Sequence, residues 1–187
     1  LEVRKEIIRQ IRNWNADIVI SHRTNDYHPD HRYTGVLVQD GAFMVTVPFM
    51  CPDTPPLRKN PVFLYMWDHF QKPYPFVPDV IVPIDSVMDK KMESLSLMPS
   101  QFAEWSPWLD GRLDQVPTEE AARKEFIKDF WRQRFSRLAP MYREQLKERM
   151  GAAGEEVQYV EAFELCEYGR RPEPEELQAM FPIGDAK

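Results

Sequence analysis

The first fifteen residues, LEVRKEIIRQIRNWN, place Val3, Ile7, Ile8, Ile11 and Trp14 three and four positions apart, with Arg and Lys between them. That spacing predicts an amphipathic helix. ADIVIS (16–21) follows as a short unbroken apolar run, which predicts a buried strand, parallel because a helix feeds straight into it. RYTGVLVQDGAFMVTV (32–47) predicts a second helix carrying Val36, Leu37, Phe43 and Met44. From Pro48 to Pro78 the pattern dissolves into proline-dense loops around a strand-like VFLYMW. DVIVPI (79–84) predicts another buried strand, and DSVMDKKMESLSLM a helix capped by Asp85 or Ser86. Residues 99–117, with Trp105 and Trp108, read as loop. The strongest helical pattern runs from Thr118 to Met150, with Phe126, Phe130, Phe135, Leu138, Tyr142, Leu146 and Met150 in phase. Glu119 and Glu120 suit its first turn, and Pro140 is expected to kink or split it. VQYVEAFELCE (157–167) reads as a strand, and YGRRPEPEE opens a polar tail.

Alternating helices and strands make this an α/β chain with a mostly parallel sheet flanked by helices. Too few strands are present for a complete parallel sheet, so an incomplete one is expected. Composition adds bounds. At 187 residues, 43% hydrophobic and 29% charged, the chain can bury a core like other soluble globular proteins. A net charge of -6 argues against a nucleic-acid partner, which asks for a basic face. No apolar run approaches the ~20 residues of a membrane span. Cys51 and Cys166 are too few and too distant for a disulfide framework, so a reducing, cytoplasmic compartment is the expectation.

Candidate chemistry lies in ISHRTNDYHPDHRYTG, Ile20 to Gly35. Three of the four histidines, His22, His28 and His31, fall within ten residues alongside Asp26 and Asp30. This segment leaves the C-terminal end of the first strand, the edge at which ligands bind in open α/β sheets. A turn can aim His28 and His31 at one point, Pro29 fixes a backbone angle between them, and neighbouring carboxylates orient imidazoles. The spacing points to a metal or acid/base site. A catalytic zinc site typically takes three protein ligands, and one short loop seldom supplies them all. The cluster therefore reads as part of a site: one metal ligand, one catalytic histidine and one orienting carboxylate.

ADIVISHRTNDYHPDHRYTG, followed by a helix and then Val-Pro, resembles the second conserved motif of the PIG-L or LmbE-like family of metal-dependent de-N-acetylases. DVIVPIDSVMDKKMESLSLMPSQF resembles the family's strand and Lys-containing helix ending near Ser-Gln, here Ser100–Gln101. VEAFELCEYGRRP resembles its closing strand, with Glu161 and Phe163 at matching places. The likeness spans residues 1–171, which it implies are the C-terminal part of one Rossmann-like domain, with 172–187 a polar tail. The family's first motif, a His-Pro-Asp-Asp-Glu box, is not in this sequence, and Met98 stands where relatives often carry histidine. The resemblance implies His31 as a metal ligand, most simply to Zn²⁺. It makes His28 the imidazole that stabilises the oxyanion and protonates the leaving amine, and Asp30 the carboxylate that orients a histidine. Asp26, Tyr27 and Arg23 become substrate-contacting or supporting groups. It also implies an N-acetylglucosamine-type substrate and a partner segment supplying the remaining ligands and the base.

Read without the resemblance, Arg23 and Arg32 either contact an anionic part of a substrate or, as is commoner for arginine, are solvated surface charges; Arg170 and Arg171 read as surface charges near the tail. Trp105 and Trp108 either stack on a sugar or cover the core. Two rivals remain. One is a non-catalytic glycan- or protein-binding fragment using the aromatic, proline-rich segment with Phe70, Tyr74 and Phe76. The other is a metal hydrolase of amides or phosphoesters.

Overall fold

The computed structural model describes residues 1–181. Its chain folds as two compact units, Leu1–Val80 with the described residues from Ala162 onward, and Ile81–Glu161. One four-stranded sheet has the order β1–β2–β4–β3, and the division between units falls inside β3 and β4.

In the first unit, α1 (Glu2–Trp14) turns its period inward at Ile8 and Ile11, which are 0% and 8% exposed. Val3 and Trp14, expected on that stripe, face out instead. Asn15 ends the helix in the left-handed conformation, which asparagine tolerates better than most residues. β1 (Ile18–Ser21) pairs in parallel with β2 (Val62–Met66), Ile18 opposite Val62 and Ser21 opposite Tyr65. The expected burial of β1 is only partial: it is an edge strand, and Ile20 is exposed. β2 is central and takes the burial, with Val62, Phe63, Leu64 and Tyr65 all covered. α2 runs from Pro29 to Met44, three residues earlier than the pattern predicts. Ile8, Ile11, Ala42, Val45, Phe63, Tyr65 and Cys166 share one core between these helices and the sheet.

β4 (Val160–Leu165) lies antiparallel to β2, Leu64 opposite Leu165 and Met66 opposite Phe163. β3 (Val80–Pro83) completes the sheet. The Asp79 N–H donates to the Phe163 carbonyl and the Ile84 N–H to that of Tyr159, the falling register of an antiparallel pair. Thus three strands share one direction and β4 opposes them: the sheet is mixed, and with helices flanking it the architecture is the expected α/β one.

In the second unit, α3 (Met88–Ser96) packs Met88 and Met92 with Ile84 against Trp131 and Phe135 of α5 (Glu120–Phe135). Asp85 does not cap α3. Its carboxylate accepts the backbone N–H groups of Gln158 and Tyr159 instead. The segment expected as loop contains a π-helical turn, Ser100–Trp105, and α4 (Ser106–Leu109). Pro99 precedes the π-helical turn and Pro107 lies in the first turn of α4, positions where a missing N–H costs little. Glu119 caps α5 through the N–H groups of Ala121 and Ala122. Pro140 splits the long helical pattern: a 3₁₀ turn at Ala139–Tyr142 separates α5 from α6 (Arg143–Met150), and α7 (Ala153–Glu156) follows.

The polar tail expected from residue 172 begins with α8 (Pro174–Ala179), which buries Leu177; residues 182–187 lie outside the described residues. No helix among the described residues is long and apolar enough to cross a membrane.

Candidate functional site: the histidine-bearing start of the second helix

The histidine box is a helix start as well as a loop. His28 caps α2 with extended backbone (φ −82°, ψ 129°), and Pro29 follows inside the helix start. His28 Nδ1 accepts the Asp30 backbone N–H at 3.2 Å. A capping Nδ1 is unprotonated, so the ring proton belongs to Nε2. His31 falls in the first turn of the helix, and its Nδ1 lies 3.3 Å from Asp26 Oδ2.

Asp26 organises this turn. It is 7% exposed, its Oδ1 accepts the His28 backbone N–H at 2.9 Å, and its Oδ2 faces His31. The carboxylate that meets a histidine here is thus Asp26. Asp30 is exposed and reaches His28 through its backbone N–H. Arg32 Nη1 donates to the Asp26 and Tyr27 carbonyls at 2.8 and 3.1 Å. Tyr27 sets its ring edgewise to both His28 and His31.

Three imidazoles meet. The rings of His22 and His31 stack with centroids 4.3 Å apart and planes 11° from parallel, and His28 lies 4.9 Å from His31. His22 Nδ1 is buried with no hydrogen-bond partner among the described residues. Burial first, and the neighbouring His31 second, hold the His22 pKa below the ordinary histidine value, against an opposing pull from Asp26. This favours a neutral ring.

The loop is anchored by Arg23, which is 1% exposed and not the solvated charge its sequence context suggests. Its Nε and Nη2 make a two-pronged pair with Asp68 at 2.8 and 2.6 Å. The remaining donors reach the Tyr74 and Phe70 carbonyls, and the guanidinium lies over the rings of Tyr74 and Phe76. Asn25 Nδ2 adds a bond to the Lys72 carbonyl. With its guanidinium committed in this way, Arg23 acts here as an internal anchor. Gly35 completes the fit: a Cβ at that position would come 2.6 Å from the His22 carbonyl oxygen. Only glycine admits the helix so close.

Sequence reasoning grouped His22 with the cluster without giving it a place, and it missed the Arg23–Asp68 pair because the partners are far apart in the chain. Asp26 carried a weak signal: five residues before His31, at a helix start, a carboxylate can reach back to the first turn.

No family model matches the chain. Solved structures do. The fold is shared with a deacetylase. N,N′-diacetylchitobiose deacetylase from Pyrococcus horikoshii, complexed with its inhibitor MPG, is 21% identical with a TM-score of 0.56, covering 89% of this chain and 52% of that one. GalB, the 4-carboxy-2-hydroxymuconate hydratase from Pseudomonas putida KT2440, is 19% identical with a TM-score of 0.58, over 92% of this chain and 60% of that one. The conserved protein TT1542 from Thermus thermophilus is 18% identical with a TM-score of 0.51, over 91% and 61%. This chain thus spans between about half and three fifths of the length of each. A deacetylase and a hydratase share the fold, so the fold alone does not choose the reaction.

As for a metal, the donor chemistry of His31 fits a ligand: a carboxylate on Nδ1 fixes the tautomer whose Nε2 is free to coordinate. It is a partial fit, because among the described residues no three His, Cys, Asp or Glu side chains form a metal-holding group.

Proposed function

We propose that this chain carries the histidine half of a metal-dependent hydrolase that removes the acetyl group from an N-acetylated amino sugar of the N-acetylglucosamine type. The observation that carries the reading is the Asp26–His31 contact, a carboxylate–histidine arrangement of the kind that tunes metal-binding imidazoles. The shared fold with N,N′-diacetylchitobiose deacetylase supports it.

In this reading His31 Nε2 holds a divalent cation, Zn²⁺ by preference for nitrogen and oxygen donors. The other ligands and the water-activating carboxylate come from the His-Pro-Asp-Asp-Glu segment that the family carries and this sequence does not. When bound, such a cation supplies Lewis acidity at the acetyl carbonyl and lowers the pKa of water. His28, with its proton on Nε2, offers a hydrogen bond to the oxygen that gains charge; to pass a proton to the departing amine its ring would first take up a second proton, so that a neutral imidazole is left behind. Asp30 fixes the His28 tautomer through its backbone N–H, and Asp26 keeps His31 in place. Tyr27 walls the imidazoles on one side, while Arg23 holds the loop from behind.

The test restores a His-Pro-Asp-Asp-Glu-bearing segment, in cis or as a separate polypeptide, and measures acetate release from N,N′-diacetylchitobiose with added Zn²⁺. Release that stops with chelator is expected. His31→Ala should lower metal affinity, and His28→Ala should keep the metal but cut turnover about 10²–10³-fold. A reconstituted protein that binds no divalent ion sinks the reading.

A further inference from the structure

A second recess lies in the first unit, a groove of about 620 Å³ between the sheet and the segment after β2. Asp79 and Glu164 contribute carboxylates, Tyr74 and Tyr168 contribute half-exposed rings, and Tyr65 and Gln39 form the polar floor. Thr24, from the histidine-bearing loop, reaches its wall.

We infer that this groove binds a protonated amino sugar, the product class of the proposed reaction, and the identity of the ligand rests on that proposal. The chemistry comes from what each wall leaves available. Glu164 Oε2 accepts the Val77 N–H at 3.0 Å and lies 3.9 Å from Arg23, and the carboxylate also takes a hydrogen bond from the Tyr74 hydroxyl, which brings that ring to the groove's acid. One oxygen of Asp79 accepts the Leu165 N–H, which leaves the other. At the rim Glu167 is already paired with Arg171 at 3.6 Å, so the free negative charge concentrates on Glu164 and Asp79. The lining includes no Lys, Arg or His side chain.

An ammonium group matches the paired carboxylates of Asp79 and Glu164 on one wall, and charge-assisted bonds of this kind are the strong ones. Tyrosine faces suit both the cation and the apolar face of a pyranose ring. The floor is preset, since Gln39 donates to the Tyr65 hydroxyl at 2.8 Å and that hydroxyl donates to Cys166 Sγ. Gln39 therefore presents its amide oxygen as an acceptor for sugar hydroxyls. A neutral N-acetyl sugar forfeits the carboxylate bonds and adds an acetyl group against them. The groove accordingly prefers the deacetylated form.

The experiment titrates the full chain with D-glucosamine, N-acetylglucosamine and putrescine in the presence of chelator, following backbone amide shifts by NMR. Glucosamine should shift the amides of Val77, Glu164 and Leu165 and bind at least about tenfold more tightly than N-acetylglucosamine. Glu164→Gln should weaken it about tenfold. Tyr168→Ala, at an exposed position that leaves the fold alone, should weaken it about threefold. Equal affinity for the two sugars, wild-type affinity in both variants, or no glucosamine binding overturns the groove. Putrescine binding as tightly as glucosamine overturns its preference for a sugar. The titration contains no turnover step. Failure here leaves acetate release by the reconstituted protein untouched, and absence of acetate release leaves the groove's binding untouched.

Discussion

The two ends of α2 are finished in opposite ways. At the C-terminal end a single cation, Arg12, is 4% exposed and donates to six backbone carbonyls: Met44, Val45, Val47, Met50, Cys51 and Thr54. Positive charge beside the carbonyl end of a helix also complements its dipole. At the N-terminal end the polar groups are satisfied by halves. Asp26 and the Asp30 N–H engage one nitrogen each of His31 and His28, and His22 Nδ1 has no partner among the described residues. Polar groups that are fully paired fix structure. Imidazoles with one nitrogen paired and one spare are oriented and yet open to a ligand, which is what a reactive site requires.

The harshest way to break this comparison is Arg12→Met: Met44, Val45, Val47 and Cys51 keep a backbone N–H on their carbonyls, while those of Met50 and Thr54 lose the guanidinium that serves them. At about 1–3 kcal/mol for each acceptor left unpaired, those two carbonyls alone put the cost at about 2–6 kcal/mol. Denaturant unfolding should show a chain close to the edge of folding. A loss below about 1 kcal/mol would mean water replaces the guanidinium and that end is not closed. Next comes Asp68→Asn, which takes the two-pronged carboxylate from the buried Arg23, leaves it only the more distant Glu164, and should cost about 3 kcal/mol. It should also broaden the NMR signals of residues 22–28 while leaving those around Arg12 unchanged.

His28 separates capping from chemistry at the other end. His28→Ala should cost about 1 kcal/mol of stability. His28→Asn, which caps equally well, should recover that stability and still fail in acetate release by the reconstituted protein. Full turnover in the Asn variant would reduce His28 to a cap.

The smallest effect has the opposite sign. Burial raises the Glu164 pKa above the ordinary 4.5, so the folded chain holds that proton more tightly than the unfolded chain does. Its stabilising contribution is complete below pH 4.5 and is lost as pH rises through the raised value. Glu164→Gln should therefore raise the melting temperature slightly at pH 7, with the gap closing below pH 4.5. A gap that is constant with pH would show that the carboxylate titrates alike in both states.

What could be read from the sequence follows from these local rules. The period of α1, the four apolar strand segments and the break at Pro140 were legible because each is a short-range pattern. The start of α2 was not, since His-Pro-Asp reads as loop until His28 is recognised as a cap. The two buried arginines were invisible for a related reason: arginine usually stays at the surface, and nothing nearby announces partners 32 to 51 positions away. The histidine cluster was legible as a group, but which carboxylate serves which ring depended on where the helix begins.

One missing methyl sets the depth at which α2 is seated. In most helix interiors, exchanging glycine for alanine gains about 1 kcal/mol of helical propensity. Gly41 offers that gain, because an added carbon there would meet only Ile8 Cγ1 at an ordinary 3.7 Å. Gly35 sits in the same helix, and the same exchange would drive a carbon against the His22 carbonyl. A stabilisation campaign guided by propensity would treat the two glycines as equivalent. It would strengthen the rod at one and prise the imidazole stack apart at the other.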